Sequence, residues 1–177
     1  MSLLRDVVEA LRREGTPHAL IGAAAMAVHG VTRSTTDIDL LTVDTRVLRG
    51  ELWAPFERQG ATLRILTGDA EDPLAGSVRL SDGSQIVDVV VGRYVWQREI
   101  VDTAVPSLID DVQIGVARPG GLVLLKLYAG GPKDAWDIRS LLEVSEDEPA
   151  LRAEVDHVLP RLGADAIRLW ARLKDET

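Results

Sequence analysis

The chain has 177 residues, 20 Lys+Arg against 28 Asp+Glu for a formal net charge of −8, and no cysteine. That length predicts one domain over 1–177, able to bury roughly 70% of its unfolded surface without staples. The missing thiols exclude disulfides, thiolate metal sites and cysteine nucleophiles, and the acidity argues against a non-specific nucleic-acid coat.

Read from the start, Leu4, Val7, Val8 and Leu11 repeat at helical spacing, so residues 3–14 form a helix that Ser2 can cap and Gly15 stops. A short strand over 18–21 runs through Gly22 into a small-residue helix, 23–29, ended by Gly30. Strand 37–43 precedes a helix over 46–58 with Asp44 at its cap, and Gly60 leads to strand 62–66. Residues 67–76 read as a loop. Strands 78–80 and 85–91 flank an Asp82-Gly83 hairpin signal. Short strands are expected near 100–103 and 112–116, then helices over 122–129, 135–142, 150–159 and 164–173. Strands early and helices late predict an α+β fold, a small mixed sheet flanked by helices with a helical C-terminal third. A core over about 16–118 would carry the site and about 119–177 the helical part. The longest apolar runs, 23–29 and 122–129, are too short for a bilayer, so a cytoplasmic protein with no membrane partner is expected.

Chemistry concentrates at Asp37-Ile38-Asp39-Leu40. On a strand the two acids share one face while Ile38 and Leu40 turn to the core. Two like charges on a rigid face call for a cation, and carboxylate oxygens suit hard divalent ions; the bland alternative is the solvated face of an edge strand. Asp88 is the one acid inside the apolar run Ile86–Val91. It needs a partner, either a cation or an arginine such as Arg79 across the hairpin. If the two strands are neighbours, Asp37, Asp39 and Asp88 converge on one or two Mg²⁺ ions, as in-line displacement at phosphorus requires. Upstream, Leu20-Ile21-Gly22-Ala23-Ala24-Ala25 turns a strand into a helix through small residues that let a phosphate approach backbone N–H groups. Arg33, with Ser34 beside it in a polar loop, can hold a triphosphate through its guanidinium, or form a surface salt bridge.

Ile21-Gly22-Ala23, then Asp37-Ile38-Asp39-Leu40, with Asp88 on a later strand, resembles the nucleotidyltransferase fold shared with polymerase β. The stretches 20–39 and 125–142 are similar to the bacterial AbiEii-type toxin nucleotidyltransferases. That resemblance implies transfer of a nucleoside monophosphate from an NTP such as ATP to an acceptor hydroxyl, with Mg²⁺ or Mn²⁺ as cofactor. It implies that Gly22 and Ala23 contact the triphosphate, with Ala23 standing where the family usually has Gly or Ser. Asp37, Asp39 and Asp88 would bind metal, and Asp88 would also activate the acceptor. Lys126 would reach the nucleotide phosphates, supported by an aspartate of the next helix, Asp134 or Asp137. A toxin of a toxin–antitoxin or abortive-infection system, acting on tRNA or other RNA and neutralised by a cognate antitoxin, is the implied role. A small-molecule or protein nucleotidyltransferase and a non-catalytic nucleotide-binding module are the alternatives.

From its surroundings alone, Lys126 in an apolar helix either enters the site or snorkels to the surface, leaving Lys133 and Asp137 as a surface pair. His29 lacks a second histidine at metal-ligand spacing and is expected to cap or pack its helix end. Arg161, Arg168 and Arg172 form a stripe that either grips RNA phosphates or is a solvated face, the latter favoured.

Overall fold

The computed structural model describes residues 2–32 and 35–175. Its first helix, α1 (Leu3–Arg13), buries the predicted stripe: Leu4, Val7, Val8 and Leu11 are all fully enclosed. Ser2 occupies the N-cap position without a side-chain cap. Gln85, from the far hairpin, instead accepts the Leu4 N–H at 3.0 Å.

Seven strands build one mixed sheet: β1 (Ala19–Ile21), β2 (Asp37–Thr42), β3 (Thr62–Thr67), β4 (Gly76–Ser81), β5 (Ile86–Val91), β6 (Val105–Ile109) and β7 (Val112–Val116). Their order is β3-β4-β5-β2-β1-β7-β6. The β2–β5 and β1–β7 pairs are parallel and the others antiparallel. β2 is therefore central, next to both β1 and β5, and carries Ile38 and Leu40 buried on one face. On that face Val78, Leu80, Val87 and Val89 complete a layer to which α1 and α3 (Gly50–Arg58) belong. The helices α2 (Gly22–Val28), α4 (Val95–Asp102) and α5 (Pro119–Ala129) lie against the other side of the central strands. Then α6 (Asp134–Glu143), α7 (Glu148–Val158) and α8 (Ala164–Asp175) pack beyond α5, with Trp170 buried among them. Among the described residues no helix is long and apolar enough to cross a membrane.

The α+β architecture expected from the sequence is present, on a larger sheet than a small one. Two local readings need correction. The segment expected as strand 100–103 is the end of α4, which places Trp96, Ile100 and Val101 inward at helical spacing. Its start is fixed by the buried Gln97 side chain, which accepts the N–H groups of Arg93 and Tyr94 at 2.7 and 3.0 Å. The strand paired with β7 is instead β6, joined to it by Asp110 and Asp111, both at positive φ (45° and 62°), a turn that matches strand twist. The helix expected over 46–58 is two pieces: Asp44 caps a 3₁₀ turn (Thr45–Leu48), and extended backbone at Arg49 restarts the chain as α3. The loop 67–76 holds as 68–75, because β3 and β4 each extend by a residue or two.

Candidate active site

Parallel pairing of β2 with β5 sets Asp39 directly opposite Asp88. Asp37 lies one alternation along β2, on the same face. The neighbouring strands that the expected convergence required are present, and so is the arginine alternative, because Arg79 of β4 is directly opposite Asp88 on its other side. Arg79 Nε donates to Asp88 Oδ1 at 2.8 Å and Nη2 to Oδ2 at 2.6 Å, while Nη2 also reaches Asp37 Oδ2 at 3.3 Å. This two-point pairing raises the Arg79 pKa still further above its ordinary value.

The Asp39 carboxylate, between the other two, forms no ion pair or hydrogen bond among the described residues. Burial first, then the charges of Asp88 and Asp37, push its carboxyl up to about 6. Gly22 follows β1 directly and begins α2 at φ +67°, and a Cβ there would stand 2.1 Å from Asp39 Oδ2. Only a glycine lets the backbone pass this close to the acid. Ala23, next in the helix, is buried. Arg33 and Ser34 lie outside the described residues.

Gly22 and Asp39 open into a cleft of about 310 Å³ between the sheet and α5. Leu41 and Val90 continue the carboxylate face along β2 and β5 into it, Leu122, Leu125 and Tyr128 face them from α5, and Pro73 and Leu74 close one side. The Tyr128 hydroxyl donates to the Pro73 carbonyl at 3.1 Å, fastening loop 68–75 over the cleft. Lys126 lines the same cleft. Its ammonium meets Asp137 Oδ2 at 2.5 Å and Asp134 Oδ1 at 3.1 Å, with the Lys126 and Asp137 side chains only 17% and 1% exposed. Lys126 therefore belongs to the cleft rather than the surface, and both candidate aspartates hold it. Asp134 Oδ2 also accepts the Gly131 N–H at 2.6 Å, tying the α5–α6 turn to the same cluster.

His29 ends α2 with Nε2 2.8 Å from the Ala117 carbonyl, the packing role expected of it. Arg161 and Arg168 pair with Glu99 and Asp165. The apolar walls of the cleft were not anticipated, since they come from separate elements whose only sequence signal is ordinary core periodicity.

The donor set suits a divalent ion. All three acids supply hard oxygen ligands, and the raised Asp39 carboxyl marks a charge cost that a cation removes. Among the described residues no group of three or more His, Asp or Glu side chains is placed to hold a metal ion; Arg79 supplies the positive charge at Asp37 and Asp88.

No family model and no curated protein matches the chain. Solved structures do. The solution structure of the antibiotic-resistance factor ANT(2″)-Ia superposes with a TM-score of 0.55 at 16% identity, covering 90% of each chain. The lincosamide antibiotic adenylyltransferase LnuA, lincomycin-bound, gives 0.51 at 15% identity, covering 80% of this chain and 96% of its own. The fold is that of the nucleotidyltransferases. A crystal structure of ANT(2″)-Ia with adenylyl-2″-tobramycin matches similarly, at 0.54 and 19% identity over 88% of this chain and 95% of that one. Identities this low establish the nucleotidyltransferase fold and no substrate. The AbiEii-type likeness finds no counterpart among these structures.

Proposed function

We propose that this protein transfers a nucleoside monophosphate from an NTP to an acceptor hydroxyl. The observation that carries this reading is the pairing of Asp39 with Asp88 together with the close approach of Gly22 to Asp39, which sets a glycine, two neighbouring acids and the mouth of a mostly apolar cleft in one place. The apolar walls suit a nucleoside, and the Gly22 end, with the first N–H groups of α2, suits its phosphates. Mg²⁺, or Mn²⁺ by the same donor chemistry, would be held by Asp37, Asp39 and Asp88 and would neutralise phosphate charge and acidify the acceptor hydroxyl. Asp88 accepts the acceptor proton as the new O–P bond forms and the α–β phosphoanhydride bond breaks, releasing pyrophosphate. Lys126, oriented by Asp134 and Asp137, steadies the negative charge of the departing phosphates. Arg33, with Ser34 beside it, is assigned to the triphosphate on guanidinium chemistry and its place in the sequence alone.

On the acceptor, the AbiEii-type resemblance favours tRNA or another RNA, with a toxin's role and a cognate antitoxin. The fold neighbours favour a second reading, a small-molecule acceptor, since one carries adenylylated tobramycin and another lincomycin. Incubation with labelled NTPs, Mg²⁺ and separate RNA, protein and small-molecule pools tests both. Label should pass to one pool and vanish in the Asp37→Asn/Asp39→Asn double variant. Transfer undiminished in that variant refutes the mechanism.

A further inference from the structure

The row of side chains that crosses the sheet from Asp39 and Asp88 continues beyond Arg79. Arg64 of β3 lies directly opposite Arg79, as Arg79 lies opposite Asp88. With strands about 4.8 Å apart, Arg64 stands about 10 Å from Asp88 on the same face. Like charges directly opposite one another destabilise a sheet; Asp88 and Asp37 answer Arg79 here, which leaves Arg64 as the arginine whose charge is not met. The chain has 28 acidic residues, yet among the described residues Arg64 pairs with none of them. Arg79 commits Nε and Nη2 to Asp88 and Asp37, and its Nη1 makes no hydrogen bond among the described residues. Its side chain is half exposed. Thr62, Arg64 and Leu66 are all exposed on this side of β3, while Leu63 and Ile65 pack against the core from the other. The sheet is open to solvent where the two guanidinium groups stand.

We propose that Arg64 and the free edge of Arg79 bind a phosphate group of the acceptor, so that the acceptor brings its hydroxyl to Asp88 while held by an anionic group on β3 and β4. The proposal rests on the nucleotidyl-transfer reading and specifies its substrate class. Two guanidinium groups offer the planar, multidentate donors that phosphate oxygens match. A sugar phosphate places a hydroxyl and a phosphate on one ring, which suits the step from Arg79 to Asp88. A polycationic acceptor would meet the same pair as repulsion.

The test measures fluorescence anisotropy of a 5′-labelled single-stranded RNA octanucleotide with a free 3′ end, with Mg²⁺ and a non-hydrolysable ATP analogue present. Arg64→Glu should weaken binding by at least about tenfold, as loss and reversal of one phosphate contact predicts, and Arg64→Lys should retain most of it. Ribose 5-phosphate is the competitor that separates sources. Displacement of the RNA at millimolar concentration identifies a small phosphorylated acceptor, and failure to displace it identifies RNA; both sustain a phosphate site. Equal binding by the wild type and Arg64→Glu, or no binding of either probe, overturns the proposal. So does aminoglycoside labelling that improves in Arg64→Glu. Stabilisation of the same samples by the ATP analogue is read in parallel; its absence indicts the nucleotide site instead, keeping the two failures distinct.

Discussion

Replacing Asp39 by asparagine should make the metal-free protein more stable near neutral pH. Asp39 has its carboxyl raised from 3.8 to about 6, by burial first and then by Asp88 and Asp37. A folded pKa above the unfolded one means that the neutral acid favours the fold. That contribution is complete below about pH 4 and is lost as pH rises through about 6. A shift of about two units at 1.36 kcal/mol each sets an upper end near 3 kcal/mol, and water at the cleft mouth reduces it, giving about 1–3 kcal/mol. For a domain of this size that is a melting-temperature gain of roughly 3–10 °C. The assay is thermal unfolding of wild type and Asp39→Asn in EDTA from pH 4 to 8. Other carboxylates titrate in both proteins, so the difference between the two curves isolates Asp39. The gap should be near zero at pH 4 and open between pH 4 and 6. A gap independent of pH, or an Asp39→Asn protein that melts below the wild type at pH 8, refutes the account.

Mg²⁺ at millimolar concentration should raise the wild-type melting temperature more at pH 8 than at pH 5, because only ionised acids hold it, and should raise that of Asp39→Asn far less. Gly22→Ala should lower stability by about 1–3 kcal/mol in urea titrations and weaken nucleotide-induced stabilisation, since its methyl would collide with Asp39 at positive φ. Lys126→Met should cost about 3 kcal/mol by leaving Asp137 buried without its ammonium, and Asp137→Asn added to it should recover part, read by a double-mutant cycle. Tyr128→Phe should speed amide exchange in residues 68–75 with little change in global stability, because it removes the hydroxyl that fastens that loop at Pro73.

The acids of the site were legible because alternation on a strand is a local rule: Asp37 and Asp39 had to share a face opposite Ile38 and Leu40, and they do. The Asp82-Gly83 hairpin likewise made Arg79 a foreseeable partner for Asp88, since a short turn fixes register. The adjacency of β2 and β5 could be posed only as a condition, since hydrophobic pattern does not say which strands pair at long range. Its misfit in an apolar helix singled Lys126 out but left both the site and the surface open to it, and the aspartates of the next helix decide between them. The choice between Asp134 and Asp137 dissolved because the α5–α6 turn brings both to it. Readings failed where pattern and context disagree. Ile100-Val101 looks like strand, but the buried Gln97 caps the preceding turn and makes helix of it. β6 holds a proline and exposed residues and is tolerated as a strand because it is an edge.

The charges around the cleft explain why Asp39 is the sensitive group. Among the described residues the cations that act on Asp39 are Arg79, on the β4 side, engaged by Asp88 and Asp37, and Lys126, on the α5 side, engaged by Asp137 and Asp134. Each cation is thus shared with other acids, and their pull on Asp39, which lies between them, is outweighed by its burial and by the charges of Asp88 and Asp37. Spare positive charge elsewhere in a chain of net charge −8 does not help, since the register that puts Asp39 beside Gly22 leaves no room for a side chain there. A stability-optimised sequence would neutralise this position, as Asp39→Asn does. Retaining the acid there is a local cost of the kind that functional sites carry, and a cation-bearing ligand is what would remove it.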